Sequence, residues 1–491
     1  MHTGNYQSVT PWQYDWTMMS GLFRVNYNYR YKYYLTASFR ADGSSKFPAG
    51  NRWGYFPSVG ASWNFNREEA LKDKSWLSNG KLRFSWGFTG NNRTTTPYDY
   101  YAQVNTLPGN VDSYDYVYNG KIYPGYAPVN MANDKLRWET TQQWNVGLDL
   151  SFFDSRIKFT GDWYRKDTRD LLLQATLPAS SGYTSAMLNI GSMRNQGIEL
   201  TFDAVPIQRK NFSWSMNFNI AINRNTVTAL TNNQLSLLSS VAWDNTFNSQ
   251  YPYITQVGMP SGMMFGYIYE GTYKKADFEN DGAGSLKKGI AYMSSVGKSS
   301  TRPGDAKYKD LNADGLIDDN DRTIIGCGQP LHTGGFGTSF NFYGFDVNVN
   351  FTWSYGNDIL NANRLIFETG SKSGLNMFST YMDHWRDLRE TDIPRINANG
   401  TNVYSSRVVE DGSFLRLKSF SVGYTFPRSI LRKMHFDTMR VYLSGDNLYT
   451  FTRYSGPDPE VSTRNSVLTP GFDWSAYPRS RGCTLGVSFT F

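Results

Sequence analysis

The chain has 491 residues and a formal net charge of +7, aromatic residues make up 16% of it, and its mean hydropathy is −0.52. No run approaches the ~18 consecutive apolar residues that a membrane-spanning helix needs, so a membrane form of this chain must be a β-barrel. The Lys and Arg residues are scattered and form no basic block of the kind that binds nucleic acid. Cys327 and Cys483 lie far apart without CxxC spacing, which excludes a disulfide scaffold and a zinc cluster.

The first predicted strands lie at 22–29 and 33–40, and a tight turn at 30–32 joins them. Further strands are predicted at 52–65 and 80–91, before a long segment rich in Tyr, Asn and Gly. Residues 1–5 show neither the basic nor the apolar region of a signal peptide.

The clearest period-two pattern lies in the middle of the chain, at 144–152, 157–163, 198–202 and 212–222. In the last of these segments, for example, Trp214, Met216 and Phe218 alternate with serine and asparagine. A soluble sheet would rarely keep so many large apolar groups opposite so many amides. Lipid on one side and water on the other account for both sets.

The same alternation returns at 336–342 and 345–353, which pair through 343–344, and again at 414–426 and 439–448. It ends the chain, where Leu485, Val487, Phe489 and Phe491 alternate with small or polar residues. An aromatic excess of this size fits girdles at two membrane interfaces.

Short turns and long loops alternate along the whole chain, as they do in outer-membrane barrels, where one end is trimmed and the other carries function. The long loops are predicted near 92–135, 226–332, 355–412 and 447–482. We expect residues 1–491 to form one unit, the C-terminal part of an antiparallel transmembrane β-barrel with about 13 strands here. An odd strand number places residue 1 on the outer side, where a complete bacterial barrel would not begin.

Six motifs carry a family resemblance, and they span nearly the whole chain. They are FRADGSSKF at 39–47, RWGYFPS at 52–58, LRWETT at 136–141, RNQGIE at 194–199, NL at 447–448 with YSGPDPE at 454–460, and YPRSR at 477–481. In these motifs the sequence resembles the SusC/RagA family of TonB-dependent outer-membrane transporters.

The resemblance implies a barrel of 22 strands, a size class whose lumen is plugged. It also implies TonB-driven import of an oligomeric nutrient, glycan or peptide, with a SusD-like surface lipoprotein as lid. The implied location is the outer membrane of a Gram-negative, Bacteroidota-like cell, with many passes through the lipid. No plug and no TonB box are found, so contact with the TonB complex would require a missing N-terminal region.

The sharpest local motif is an acidic loop at 310–321 that follows the pattern of a calcium-binding EF-hand loop. Oxygen side chains stand at loop positions 1, 3, 5, 9 and 12, glycine at 6, and a backbone carbonyl at 7, which suits a hard cation. The predicted Ca²⁺ ligands are Asp310, Asn312, Asp314, Leu316 (through its carbonyl), Asp318 and Asp321. The alternative is an acidic loop of Asx turns without metal.

Catalytic residues are not predicted. The four histidines, His2, His332, His384 and His435, lie in unrelated contexts and show no metalloprotease or triad spacing. A set of aromatic residues in the predicted loops can stack on a ligand, or can anchor the chain at the membrane interface or pack within the loops, and the sequence leaves these readings open. They are Trp12, Tyr14, Trp16, Tyr98, Tyr100, Tyr101, Tyr114 and Tyr116.

The sequence therefore favours a SusC-like import barrel that is not an enzyme. The rival reading is a secreted, calcium-stabilised all-β glycan-binding protein or hydrolase, and it predicts free solubility. It requires the apolar rows to lie buried between two stacked sheets.

Overall fold

A single antiparallel sheet of thirteen strands dominates the computed structural model, which describes residues 13–105, 116–123, 125–176, 181–183, 185–230, 234–370, 372, 374–431, 436–464 and 466–491. Each strand pairs with the next one along the chain. The strands are β1 (Met18–Tyr29), β2 (Tyr33–Ser44), β3 (Trp53–Trp63), β4 (Leu77–Asn91), β5 (Glu139–Phe152), β6 (Ile157–Arg169), β7 (Ser192–Arg209), β8 (Phe212–Ala229), β9 (His332–Phe342), β10 (Phe345–Tyr355), β11 (Phe414–Thr425), β12 (Thr438–Thr452) and β13 (Gly482–Thr490). The predicted strand number is confirmed.

The apolar rows share one face of this sheet, which we call the outer face. The register aligns them from strand to strand, as in Trp163 opposite Ile198 and Phe218 opposite Phe336. These side chains are exposed: Trp163 keeps 43% of its surface, Ile198 44% and Leu485 74%. Because the rows are not covered by a second sheet, the two-layer packing that the rival reading requires is absent from the described residues.

Short connections join the strands at one end of the sheet, which we call the turn end. The turns at 30–32, 153–156 and 343–344 lie where the sequence predicts them. The predicted turn near 206–211 is shorter in the structure, because β7 continues to Arg209 past a bulge between Ala204 and Ile207. Pro206 lies in that bulge, where its missing N–H costs no ladder hydrogen bond.

An aromatic girdle marks the outer face near the turn end. Its ring pairs include Tyr29 with Tyr33, Trp76 with Phe152, Trp214 with Phe340 and Phe345 with Tyr424. A second aromatic set includes Trp144 and Trp353, each eight residues along its strand from a ring of the first set. Eight residues span about 27 Å of strand, or about 20 Å along the membrane normal at the usual strand tilt. This separation is close to the apolar band of an outer-membrane barrel, about 25 Å.

The other connections, most of them long, lie at the opposite end, which we call the loop end, at 45–52, 92–138, 170–191, 230–331, 356–413 and 453–481. They contain short strands at Gln103–Asn105, Tyr116–Tyr118, Lys121–Tyr123, Ala127–Asn130, Leu172–Thr176, Ser185–Asn189, Ser236–Ser239, Tyr253–Gln256, Met263–Gly266, Tyr269–Thr272, Tyr292–Met293, Ala306–Tyr308, Leu316–Ile317, Thr323–Cys327, Asp358–Asn361, Val409–Asp411 and Phe472–Asp473. The last connection begins later than the predicted 447, because β12 runs on to Thr452 past a bulge opposite Lys418.

Helix is scarce in the described residues. It comprises α1 (Asn363–Phe367) and α2 (Arg428–Leu431), apart from single 3₁₀ turns. No helix among the described residues is long and apolar enough to cross a membrane. Buried apolar clusters lie mainly in the loop-end connections, and the sheet itself holds few buried apolar side chains.

Candidate functional site

The polar face of the sheet, which we call the inner face, carries a connected set of amide and hydroxyl groups. Ser339 Oγ lies 2.6 Å from Asn348 Oδ1, and Asn348 Nδ2 donates to Ser421 Oγ at 3.3 Å, so one chain of contacts crosses β9, β10 and β11. Asn350 Nδ2 makes the equivalent bond to Ser419 Oγ at 3.0 Å. Such a surface can hydrogen-bond water or a polar solute.

Two ion pairs on the inner face reach across a strand, and a glycine makes room for each. Arg83 on β4 contacts Asp149 on β5 at 2.7 Å and Asp162 on β6 at 3.0 Å. Gly147 on β5 lies between Arg83 and Asp162, and a Cβ there would come within 2.5 Å of both side chains.

The second strand-crossing pair has the same construction. Arg440 Nε on β12 donates to Asp346 on β10 at 2.9 Å, over Gly423 on β11. A Cβ on Gly423 would lie 2.5 Å from the guanidinium. Ion pairs therefore link strands across the inner face, whereas the outer face is apolar.

Three long connections fold together at the loop end into one body, the loop cap, formed by the described parts of 236–331, 357–412 and 454–474. Its largest cluster draws on all three, with Phe247, Leu360, Tyr404 and Phe472 each at most 2% exposed. Side-chain hydrogen bonds tie the segments, as from Trp243 Nε1 to Tyr404 Oη at 2.7 Å. The sequence predicts these segments as loops and gives no sign of their common core.

Tyrosine hydroxyls fix the inside of the loop cap. Tyr308 Oη donates to the carbonyl of Gly400 at 2.6 Å, and burial raises the pKa of Tyr308 to about 12. Tyr454 Oη donates to the carboxylate of the buried Asp473, and burial together with this bond raises the pKa of Tyr454 far above its usual value. These hydroxyls stay protonated at physiological pH and act as hydrogen-bond donors.

A charge cluster around a buried arginine joins the loop cap to the sheet. The guanidinium of Arg416 on β11, 1% exposed, contacts Asp458 at 2.5 Å and Glu460 at 3.2 Å. Arg479 contacts the same two acids, at 3.4 Å and 2.8 Å. The motifs at 454–460 and 477–481, which carry part of the family resemblance, therefore meet in space and hold the last long connection onto the wall.

The first three motifs meet at the other side of the loop end. Phe47, Phe56 and Trp138 form an aromatic corner, in which the Trp138 ring centroid lies 5.4 Å from that of Phe47 and 5.6 Å from that of Phe56. Leu136 is fully buried in the same cluster. Trp138 Nε1 donates to the carbonyl of Arg52 at 2.8 Å. These motif residues therefore pack the loop-end connection at 45–52 against the segment that precedes β5.

A cavity of about 450 Å³ opens beside this corner on the inner face of β1 to β4, and we call it the wall cavity. Its lining combines apolar side chains with hydroxyl and amide groups, and the apolar ones are Met18, Leu22, Phe56, Phe88 and Trp138. The cations Arg24 and Arg40 and the anion Asp42 also line it. The volume lies within the range of small-molecule sites, about 300 to 1,000 Å³.

The acidic loop at 310–321 has the backbone that the sequence predicts, with Gly315 at φ +86° in its sharp turn. Its carboxylates accept backbone N–H groups: Asp310 from Ala313 at 2.7 Å and from Gly315 at 2.8 Å, and Asp321 from Leu311 at 2.7 Å. Asp314 and Asp318 cap Leu316 and Asn320 in the same way, and Asn312 Nδ2 donates to Asp314.

These bonds match the Asx-turn alternative. Within the described residues, no group of three or more His, Cys, Asp or Glu side chains is placed to hold a metal ion. The Ca²⁺ site therefore stays a prediction.

The described loop aromatics lie near the loop end and are partly exposed, with Tyr14 at 51%, Trp16 at 49% and Tyr116 at 56%. Tyr98 lies 6.5 Å from the Tyr14 ring, and Tyr100 packs with Tyr101 at 4.0 Å. Trp12 and Tyr114 lie outside the described residues, as do His2 and His435.

The two described histidines make local contacts. His332 accepts from Trp353 Nε1 at 3.1 Å, and His384 Nδ1 lies 2.7 Å from the carbonyl of Tyr381.

The sequence profile described as "TonB dependent receptor-like, beta-barrel" matches residues 5–448. Among curated proteins, TonB-dependent receptor P3 of Formosa agariphila is 35% identical over 480 residues, and TonB-dependent receptor SusC of Bacteroides thetaiotaomicron is 29% identical over 504. The alignments cover 96% and 100% of the present chain. In both comparisons the chain spans 45% of the relative's length.

Solved structures give the same result. The structure titled as the RagAB peptide transporter superposes with a TM-score of 0.79 at 25% identity, over 97% of the present chain and 47% of that one. The RagAB peptide importer in its closed-closed state gives a TM-score of 0.77 at 26% identity, over 96% of the present chain and 48% of the other.

Proposed function

The chain belongs to the TonB dependent receptor-like, beta-barrel family, with relatives of the SusC and RagA type, and we propose that it forms much of the wall of an outer-membrane transporter that imports an oligomeric nutrient. The observation that carries this proposal is the two-faced sheet. Exposed apolar rows between aromatic girdles suit lipid, and the cross-braced polar face suits a wet lumen.

The nutrient that we propose is a glycan or a peptide. The support is indirect and comes from the relatives, one of which is named SusC and another titled a peptide transporter. The amide and hydroxyl groups of the inner face can hydrogen-bond either class. We expect no enzymatic activity, and this stays a prediction.

The partners that belong to this proposal are a SusD-like surface lipoprotein acting as lid and the TonB complex. A feature of the loop end supports a protein partner there. Among the described residues, the hairpin of Tyr116–Tyr118 and Lys121–Tyr123 exposes Val117 (71%) and Ile122 (73%) on one face and Tyr118 (69%) on the other. A covering protein would bury these apolar side chains. Coupling to TonB would depend on parts of the relatives that the present chain does not match.

The Ca²⁺ site of 310–321 is the remaining part of the proposal. A cation there would lie between the carboxylates that now accept backbone N–H groups and would stiffen the loop cap without taking part in chemistry. We expect millimolar Ca²⁺ to raise the resistance of the cap to protease, and Asp310→Asn with Asp314→Asn to abolish the effect. Equal protection with and without EDTA would show that the loop needs no metal.

Transport is tested by deleting the gene in its host and measuring uptake of labelled oligosaccharides and oligopeptides. We expect growth on one class of oligomer to be lost and restored by the gene, and uptake to stop when a protonophore collapses the energy that TonB uses. Unchanged uptake of every oligomer in the deletion strain would contradict the proposal.

A further inference from the structure

Four arginines share the outer face near the loop end, on the three middle strands of the sheet. We call this set the arginine cluster, and it consists of Arg165 and Arg169 on β6, Arg194 on β7 and Arg224 on β8. In the ladder, Arg165 and Arg224 both face Gln196, and Arg169 faces Ser192. Arg194, two residues from each of these positions, is therefore a diagonal neighbour of the other three arginines, about 7 to 8 Å from each.

The cluster lies at the height of the second aromatic set. Arg165 faces Trp144 of that set, and Arg194 faces Asp167 one step closer to the loop end. In a barrel that stands in lipid, such aromatic rings mark the level of the lipid headgroups. The long arginine side chains can extend along the wall and place their guanidinium groups among those headgroups.

The cluster carries more positive than negative charge. In the described part of the chain, Asp167 is the one acid that forms ion pairs with it, accepting from Arg165 Nε at 2.7 Å and from Arg194 Nε at 2.6 Å. Four guanidinium groups and one carboxylate leave three positive charges without a counter-charge.

The other two arginines have no acidic partner among the described residues. Arg224 is exposed and donates to the backbone carbonyls of Leu331, at 2.7 Å, and Asn223, at 3.0 Å. Arg169 is exposed and makes no hydrogen bond or ion pair with any part of the chain that the structure describes. Both are therefore free to bind an anion.

The excess charge is a local property of the wall. Residues 171–191, which join β6 to β7, contain no Asp or Glu, and Asp170 before them is paired with Arg137. β6 lies five strands from the edge strand β1, and β8 lies five strands from the edge strand β13, which is about 24 Å in each case. The arginines share the outer face with the apolar rows, so a strand added at an edge or a domain in the lumen would not cover them.

A phosphate on a sugar matches the chemistry of the cluster. The guanidinium fork binds phosphate through two parallel hydrogen bonds, and a phosphate monoester, with a charge of about −1.5 to −2, neutralises more of the excess than a phosphodiester can. Uncharged polar side chains lie among the arginines on the same face and can hydrogen-bond sugar hydroxyls: Gln142, Ser192, Gln196 and Thr226.

We propose that the arginine cluster binds the phosphate monoester of a phosphorylated glycolipid in the leaflet at the loop end. The acyl chains of this lipid would lie along the apolar row that continues below the cluster through Trp163 and Ile198. The inference rests on the part of the proposed function that places the outer face in lipid, and it is independent of the nutrient.

The test uses the transporter purified from the outer membrane of its host and delipidated in detergent, with lipid binding measured by native mass spectrometry. The probes are monophosphoryl lipid A, its dephosphorylated form, which differs from it only in the phosphate, and phosphatidylglycerol, a phosphodiester. We expect the phosphorylated lipid A to bind about tenfold more tightly than the dephosphorylated form, and the difference to shrink as salt is raised.

The variant Arg194→Gln should remove most of that difference, and Arg194→Lys should restore part of it. Arg169→Gln should also weaken the preference, and it removes no contact within the described part of the chain, so the wall should fold unchanged. Lys166→Gln is the matched control, because Lys166 follows Arg165 on β6 but lies on the inner face, opposite Gln143. It should leave the preference unchanged.

Equal binding of the two forms of lipid A would overturn the inference and leave nutrient import standing, since import is measured separately by uptake. Tighter binding of phosphatidylglycerol than of phosphorylated lipid A would also overturn it, in favour of a phospholipid. Loss of the preference in the Lys166 variant, with retention in the Arg194 variant, would contradict a site on the outer face.

Discussion

Single glycines make room for the strand-crossing ion pairs of the inner face. In each pair the donor and the acceptor are two strands apart, and a side chain on the glycine between them would collide with the pair. Gly147 and Gly423 provide that gap under Arg83 and Arg440. The sequence shows the glycines, but it does not show which charged residues flank them across the sheet.

Gly147→Ala should therefore destabilise the folded protein. The added methyl group would collide with Arg83 and Asp162, and overpacking of this kind costs about 1 to 3 kcal/mol. Gly60→Ala on β3 is the control, because a Cβ there meets its nearest atom at 3.8 Å. The temperature of thermal unfolding in detergent, read from the heat-modifiable gel shift, should fall for Gly147→Ala and not for Gly60→Ala. Equal transition temperatures for both would contradict the bracing role.

Arg416 should be the most sensitive charge at the base of the loop cap. Arg416→Met would leave Asp458 buried without its main counter-charge, and breaking a buried pair in this way costs about 3 to 5 kcal/mol. Lys418→Met, two residues along β11, removes an exposed charge and should have little effect. Limited proteolysis of 453–481 reads out the result. A loop that stays protected without Arg416 would show that packing alone holds it.

At the scale of elements, the strands were predictable and the loop cap was not. Strand positions follow from the period-two pattern, because every wall strand must put apolar side chains on one face. The core of the cap joins Phe247, Leu360 and Phe472, each more than 100 residues from the next along the chain. A local sequence pattern therefore cannot predict that they are in contact. The aromatic and charge motifs did mark the points where connections attach, although their contacts needed the structure.

The cap should unfold as one unit. Phe472 is fully buried in the cluster shared by its three segments, and Phe472→Ala should cost about 3 to 5 kcal/mol. Hydrogen exchange should then rise together in the short strands Tyr253–Gln256, Asp358–Asn361 and Phe472–Asp473. Val467→Ala, at a side chain 64% exposed in the same connection, should change none of them. Faster exchange confined to 453–481 would mean that the three segments are independent loops.

At the scale of the whole molecule, the sheet has two unpaired edges among the described strands, since β1 pairs only with β2 and β13 only with β12. Open backbone groups are costly in hydrocarbon, so we expect the chain produced alone not to insert stably. Co-production with the preceding barrel strands of a SusC-type relative should yield a folded, heat-modifiable band. A protease-resistant, membrane-embedded form of the chain alone would contradict this expectation.

The most direct test of the two-faced wall is a spin-label scan of β7 in that completed barrel, reconstituted in lipid with Cys327→Ser and Cys483→Ser. Single cysteines replace Ile198, Leu200 and Phe202 on the outer face and Glu199, Thr201 and Asp203 on the inner face. The account predicts that oxygen relaxes the first three labels and a water-soluble nickel complex the second three, with a period of two residues. Equal access of the nickel complex to both rows would contradict it.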